Sequence, residues 1–204
     1  MIEFDLEELT QELQMLPKTH RIAFAASCCE RLLPNYQAFT LIEQWGNWRV
    51  LRESLDNVWE WLKGEVLSNE QLLSLSEQCE AIAPDTEDFS SLFTSSALDA
   101  ANAVALTLQS CIKGDAAKCG EVASLARETI DMYIQMRDNL DYSDLDFEIK
   151  ILNDSLMQEE MRKQAEDINS LKKAATLTED FLINLKKSSE TLGIQPILRG
   201  IIKA

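Results

Sequence analysis

The sequence predicts an all-α protein: a single-domain multi-helix bundle with a central apolar helix and a long C-terminal helix. Apolar residues recur at helical spacing in almost every segment from Asp5 to Leu192, and no run alternates apolar and polar side chains over the length of a strand. Six glycines and four prolines in 204 residues are too few for a turn-rich sheet protein. Helical periods start and stop mostly at Ser, Thr, Asp, Asn, Gly or Pro. Residues 1–192 read as one helical domain, and residues 193–204, with Pro196 and Gly200, read as a C-terminal tail.

The first helix is capped by Asp5, carries Leu6, Leu9, Leu13 and Leu16 as its stripe, and ends at Pro17. Thr19 is expected to cap the central helix, and Pro34 to end it after Leu33. Ile22, Ala25, Ala26, Cys29, Leu32 and Leu33 share one face of it, and Phe24 and Cys28 widen that face. Little of the circumference is wet, and the remaining stripe holds His20, Ser27, Glu30 and Arg31, as expected of a helix surrounded by others. A short helix then begins at Asn35 and ends near Gly46. Asn47 caps the next, which Gly64 closes. There Trp48, Leu51, Leu55, Val58, Trp59 and Leu62 lie together, opposite Arg49, Arg52, Glu53, Asp56, Glu60 and Lys63. The pairs Arg49–Glu53 and Arg52–Asp56 are each worth about 0.3–0.5 kcal/mol, whereas a buried Trp is worth roughly 3–5 kcal/mol. The aromatic residues therefore hold this region.

Ser68 and Gln71 form a capping box before Leu72, Leu73, Leu75 and Cys79, and Pro84 bounds that helix. Residues 85–94 read as an acidic loop pinned by Phe89, Leu92 and Phe93. Ser95 or Ser96 starts a helix that buries Leu98, Ala101, Val104, Ala105, Leu108, Cys111 and Ile112, and Gly114 ends it. Asp99 and Asn102 border its buried face. Asp115 caps a further helix, which frays by Leu140. Residues 141–146 form an acidic connector that lacks the glycine and terminal glutamate of a calcium loop. A helix from Ser143 to about Leu152 follows. Asn153, Asp154 and Ser155 break and recap the chain into the long C-terminal helix, with a candidate break at Thr176–Thr178.

A net charge of −16 repels phosphate backbones and anionic headgroups, so neither nucleic acid nor membrane is an expected partner. The five cysteines, Cys28, Cys29, Cys79, Cys111 and Cys119, are odd in number and include no Cys-x-x-Cys pair. They read as reduced core residues rather than a disulfide frame or zinc site. The acidic start lacks a signal peptide's pattern, and no apolar run approaches the roughly 20 residues that span a bilayer. The expected location is cytoplasmic.

His20, Glu30, Arg31 and Asp99 are the residues whose types suggest acid–base chemistry. A structural role weighs more, because paired charges in a core are often only architectural. A single histidine excludes a di-iron bundle and a His-x-x-x-His zinc site, and no phosphate-binding glycine loop is present, so no cofactor or metal is expected. Arg31 is expected to be paired rather than catalytic, with Glu30, Asp99 or the helix's last carbonyls as acceptors. Two functions are open. One is a non-enzymatic interaction protein. The other is a small-molecule binding module or modest enzyme, with a pocket of Trp45, Trp48, Tyr36, His20 and Arg31. A homodimer is compatible with either.

The segments His20-Arg21-Ile22-Ala23-Phe24, Cys29-Glu30-Arg31, Pro34-Asn35-Tyr36 and Phe39 resemble the N-terminal signature of the YjaG-like bacterial proteins, a family of unknown function. Leu55-Asp56-Asn57-Val58-Trp59, Ala97-Leu98-Asp99-Ala100-Ala101 and Leu156-Met157-Gln158-Glu159-Glu160 extend the resemblance along nearly the whole chain. It implies an all-helical cytoplasmic protein. By association alone it implies a link to histidine-kinase signalling, with a protein partner of unknown identity.

Overall fold

Asp5 turns its carboxylate onto the backbone N–H groups of Glu7 and Glu8 and starts α1, Leu6–Gln14, which buries Leu9 and Leu13. The structure is a computed structural model that describes residues 5–91 and 93–190; the expected tail and the loop residue Leu92 lie outside them. The described residues form nine helices and no strand, in a single all-α domain.

The central helix, α2, runs from Lys18 to Glu43, and all of residues 22–33 are buried. It differs from expectation at both ends. Pro17 occupies the N-cap position without a side-chain cap, and Thr19 sits inside the first turn. Pro34 does not end the helix, and the separate helix expected from Asn35 is its continuation. A proline inside a helix costs about 3 kcal/mol. Burial of Tyr36, Ala38 and Phe39 beyond it supplies more than that, so tertiary packing decides. Gln44 ends the helix in the left-handed region.

α3, Trp48–Lys63, starts at Asn47 and closes at Gly64 as expected. It buries Leu51, Leu55, Val58, Trp59 and Leu62, with Trp48 half-buried. Arg52 pairs with Asp56, while Arg49 lies over the Trp48 ring at 5.6 Å. α4, Asn69–Ala81, carries both bonds of the Ser68–Gln71 capping box. α5 runs Thr94–Lys113, one residue earlier than expected. Its C-terminal carbonyls face two cations of the first turn of α2: Lys18 donates to Ile112 O at 3.0 Å and Arg21 to Gly114 O at 2.9 Å.

α6, Ala116–Asp138, is capped by Asp115 and ended by Asn139. The helix expected from Ser143 is shorter: α7 spans Phe147–Asn153, after a turn in which Asp141 accepts from Ser143. Asp154 caps α8, Ser155–Lys173. The long C-terminal helix divides after Lys173, and α9, Glu179–Glu190, follows. α2 packs against α3, α5, α6, α8 and α9, so most of the bundle is assembled around it. A second, smaller cluster of Ile130, Ile134, Ile151, Met157 and Met161 joins α6, α7 and α8.

Candidate functional site

Glu30 and Arg31 are adjacent on α2, about 100° apart around its axis, and they feed two separate buried clusters. Arg31 is 3% exposed. It grips Glu160 of α8 with two nitrogens, Nε to Oε2 and Nη2 to Oε1, both at 2.6 Å. Its Nη1 donates to Ser27 O at 2.9 Å and lies 3.6 Å from Asp167 Oδ2. Lys163 closes on Asp167, and Gln164 donates to Glu160 at 2.8 Å. Burial alone would raise the carboxyl pKa of Glu160, but the charge and hydrogen bonds of Arg31 outweigh it and hold it below its usual range. The acceptors expected for Arg31, Glu30 and Asp99, are not the ones it uses.

Glu30 faces α3 and α9. It accepts from Arg52 at 2.7 and 2.9 Å and from Trp59 Nε1 at 2.7 Å. Arg52 also reaches Asp56 at 2.8 Å, which Lys186 of α9 meets at 2.7 Å. Each cluster therefore joins two cations to two carboxylates and carries no net charge. Such a set holds helices in register and has no group left over to move a proton.

The other expected site residues do not converge. His20 is buried, and its Nε2–H donates to Ala174 O at 2.9 Å, tying the α8–α9 junction to the start of α2. Tyr36 donates to Ile82 O at 2.5 Å, and burial pushes its phenol up to about 12. Trp45 meets Phe39 edge-on and Phe89 at a tilt, with ring centroids 5.9 and 5.1 Å apart. Trp48 lies under Arg49 instead, with 5.6 Å from the guanidinium to its ring.

Asp99 lies elsewhere, at the edge of a cavity of about 200 Å³ between α2, α5 and α6. Thr129 Oγ1 donates to its Oδ2 at 2.8 Å. No basic side chain among the described residues pairs with it. Burial raises its pKa to about 6, Thr129 acts the other way, and nearby Glu128 adds to the rise. Asn35, 1% exposed, lines the same cavity, and its buried Oδ1 has no hydrogen-bond partner among the described residues. Phe93, Met132, Tyr133 and Met136 supply apolar walls.

The residues that sequence reasoning missed are Glu160, Lys163, Gln164 and Asp167. They share the α8 face of Met157, Met161, Ile168 and Leu171. Charged side chains at positions that periodicity assigns to the core were the available signal. Asn35 carried none, because its isolation depends on α5 and α6.

The five cysteines are free and buried. Burial pushes the thiols of Cys28 and Cys111 up to about 12 and those of Cys79 and Cys119 up to about 11, far from reactive thiolates. No group of three or more His, Cys, Asp or Glu side chains among the described residues is placed to hold a metal ion. No helix among them is long and apolar enough to cross a membrane.

The chain is similar to an uncharacterized protein of Haemophilus influenzae, 28% identical over 191 residues, covering 92% of this chain and 94% of the relative. It is also similar to the uncharacterized protein YjaG of Escherichia coli, 30% identical over 106 residues, which is 50% of this chain and 52% of that one. The crystal structure of a DUF416 family protein from Shewanella baltica superposes with a TM-score of 0.79 over 88% of this chain and 92% of the other. At 22% identity that likeness shows a shared fold. The family profile described as protein of unknown function (DUF416) matches residues 8–197, and the chain belongs to that family.

Proposed function

We propose that the protein acts by binding rather than by catalysis, as a helical accessory to a protein partner. The closure of both charge clusters carries this reading. Of the four side chains whose types suggested chemistry, His20, Glu30 and Arg31 are buried and engaged in holding helices together, and Asp99 accepts from Thr129. Several large side chains left in solvent are apolar: Tyr142, Leu145 and Ile149 near α7, with Met132 and Met136 on the C-terminal half of α6. Exposed apolar side chains of this size favour a contact surface. The acidic surface favours a neutral or basic partner face. A cytoplasmic setting fits five unpaired thiols, and the association with histidine-kinase signalling is the finer form of the reading. The test is affinity purification from the native host of the wild type and of the double variant Leu145→Glu, Ile149→Glu. A protein retained by the wild type and lost by the variant supports the reading. Identical sets, or none, reject it.

A second reading, small-molecule binding, is favoured by the cavity that Asp99 and Asn35 both line, where Asp99 has no basic partner among the described residues. It places the ligand away from the His20, Arg31, Tyr36 and Trp48 region where the sequence suggested one.

A further inference from the structure

We infer that the cavity between α2, α5 and α6 takes a small organic cation, a protonated amine carried on a compact apolar body, with Asp99 as its counter-ion. The inference rests on the small-molecule reading above and names the chemical class of the ligand.

Among the described residues three carboxylates are fully inside the protein, and each has a cation. Glu160 has Arg31, Asp167 has Lys163, and Glu30 has Arg52. Asp99 is partly buried, and among the described residues its hydrogen-bond partner is the neutral hydroxyl of Thr129 and no basic side chain pairs with it. A carboxylate taken out of water without a counter-charge is costly, and this protein elsewhere avoids that cost. The missing cation would stand in the cavity, because that is the space Asp99 borders.

Asn35 is the independent observation. Its Oδ1 is buried with no hydrogen-bond donor among the described residues, although buried amide oxygens are almost always bonded. Asn35 comes from α2 and Asp99 from α5, and both residues line the same cavity. An ammonium group brings three donors and a positive charge, and would give Asp99 the counter-charge it lacks. A water molecule would leave Asp99 uncompensated. An anion would meet Asp99 and Glu128 in a protein of net charge −16.

The walls set the rest of the ligand. Phe93, Tyr133, Met132 and Met136 offer aromatic and thioether surface, which suits an aromatic or branched aliphatic body. At about 200 Å³ the cavity is smaller than the roughly 300–1,000 Å³ usual for drug-sized ligands, so the body is compact. Met132 and Met136 are partly exposed, which gives the ligand a flexible entrance.

The test uses the full chain with isotope-labelled methionine methyl groups, read by NMR near neutral pH. Phenethylamine, phenethyl alcohol and phenylacetate are the probes, matched in size and different in head-group charge. The amine is expected to shift the Met132 and Met136 methyl signals, assigned with M132L and M136L, and to bind at least about tenfold more tightly than the alcohol. Asp99→Asn should weaken the amine about tenfold or more and leave the alcohol unchanged. If the alcohol or phenylacetate binds as tightly as the amine, the cation class is rejected while small-molecule binding stands. If none of the three shifts those methyl signals, both fall. The ranking on the wild type decides the question even if the Asp99 variant folds poorly.

Discussion

Arg31 and Glu160 stand 129 residues apart in the sequence and meet through two charge-assisted bonds of 2.6 Å. The pair fixes α8 against α2, and its energetics are directional. Removing one partner strands a buried charge, so Arg31→Ala and Glu160→Ala should each cost about 3–5 kcal/mol. Replacing both together with apolar residues, Arg31→Met and Glu160→Leu, should cost less than either single change. Urea melts of the full cycle measure the coupling. A loss under about 1 kcal/mol for Arg31→Ala would mean that water reaches the pair.

Asp99 should make the protein less stable as pH rises. Its carboxyl titrates near 6 in the folded chain and near 3.8 otherwise, so the folded state holds the proton more tightly. The favourable contribution is complete below about pH 4 and is lost as pH climbs through about 6. Asp99→Asn removes the penalty and keeps an acceptor for Thr129. It should stabilise the protein at pH 7 by on the order of 1–2 kcal/mol, with the gain vanishing near pH 4. Denaturant melts at both pH values read this. A destabilised variant at pH 7 would instead make the carboxylate a structural element.

Pro34 leaves Glu30 O without its usual donor in the middle of α2. Pro34→Ala restores that bond and should raise stability by roughly 1–3 kcal/mol, visible as a higher melting temperature. A lower one would show that the packing around Tyr36 and Phe39 depends on the proline ring.

Gly46 has φ of +76°, and a Cβ there would run into the Tyr36 hydroxyl. Gly46→Ala combines left-handed strain with loss of the Tyr36–Ile82 bond and should cost roughly 1–3 kcal/mol. The comparison is with Gly64→Ala, where φ is +109° and no atom lies near the added methyl group. Equal losses would assign the whole effect to backbone strain.

The legible parts of this fold are the local ones. Asp5, Asn47, Ser68, Asp115 and Asp154 each cap a helix through a bond spanning two or three residues, which sequence spacing encodes directly. Pro34 misled because its effect is local while its override is tertiary. Arg31 was legible as a buried, paired charge, but its partners on α8 were not, since Glu160 and Asp167 join it only after α8 docks. Asp99 was legible as a polar residue bordering a buried face. The cavity beside it was not, because it belongs to three helices at once and to none of their periodicities.

The two hydrophobic clusters imply that the molecule does not melt as one unit. Ile130, Ile134, Ile151, Met157 and Met161 form a small cluster of their own, beside a much larger one centred on α2. The smaller cluster buries less apolar surface than the larger one, so the α7 corner is the natural place for partial opening while the main bundle stays intact. The Asp99 cavity lies on the seam: Phe93 on its wall belongs to the larger cluster, and Tyr133 packs on the smaller. A molecule seated there would act as a rivet between them, and occupancy would be felt as slower amide exchange in α7 rather than as any change of shape.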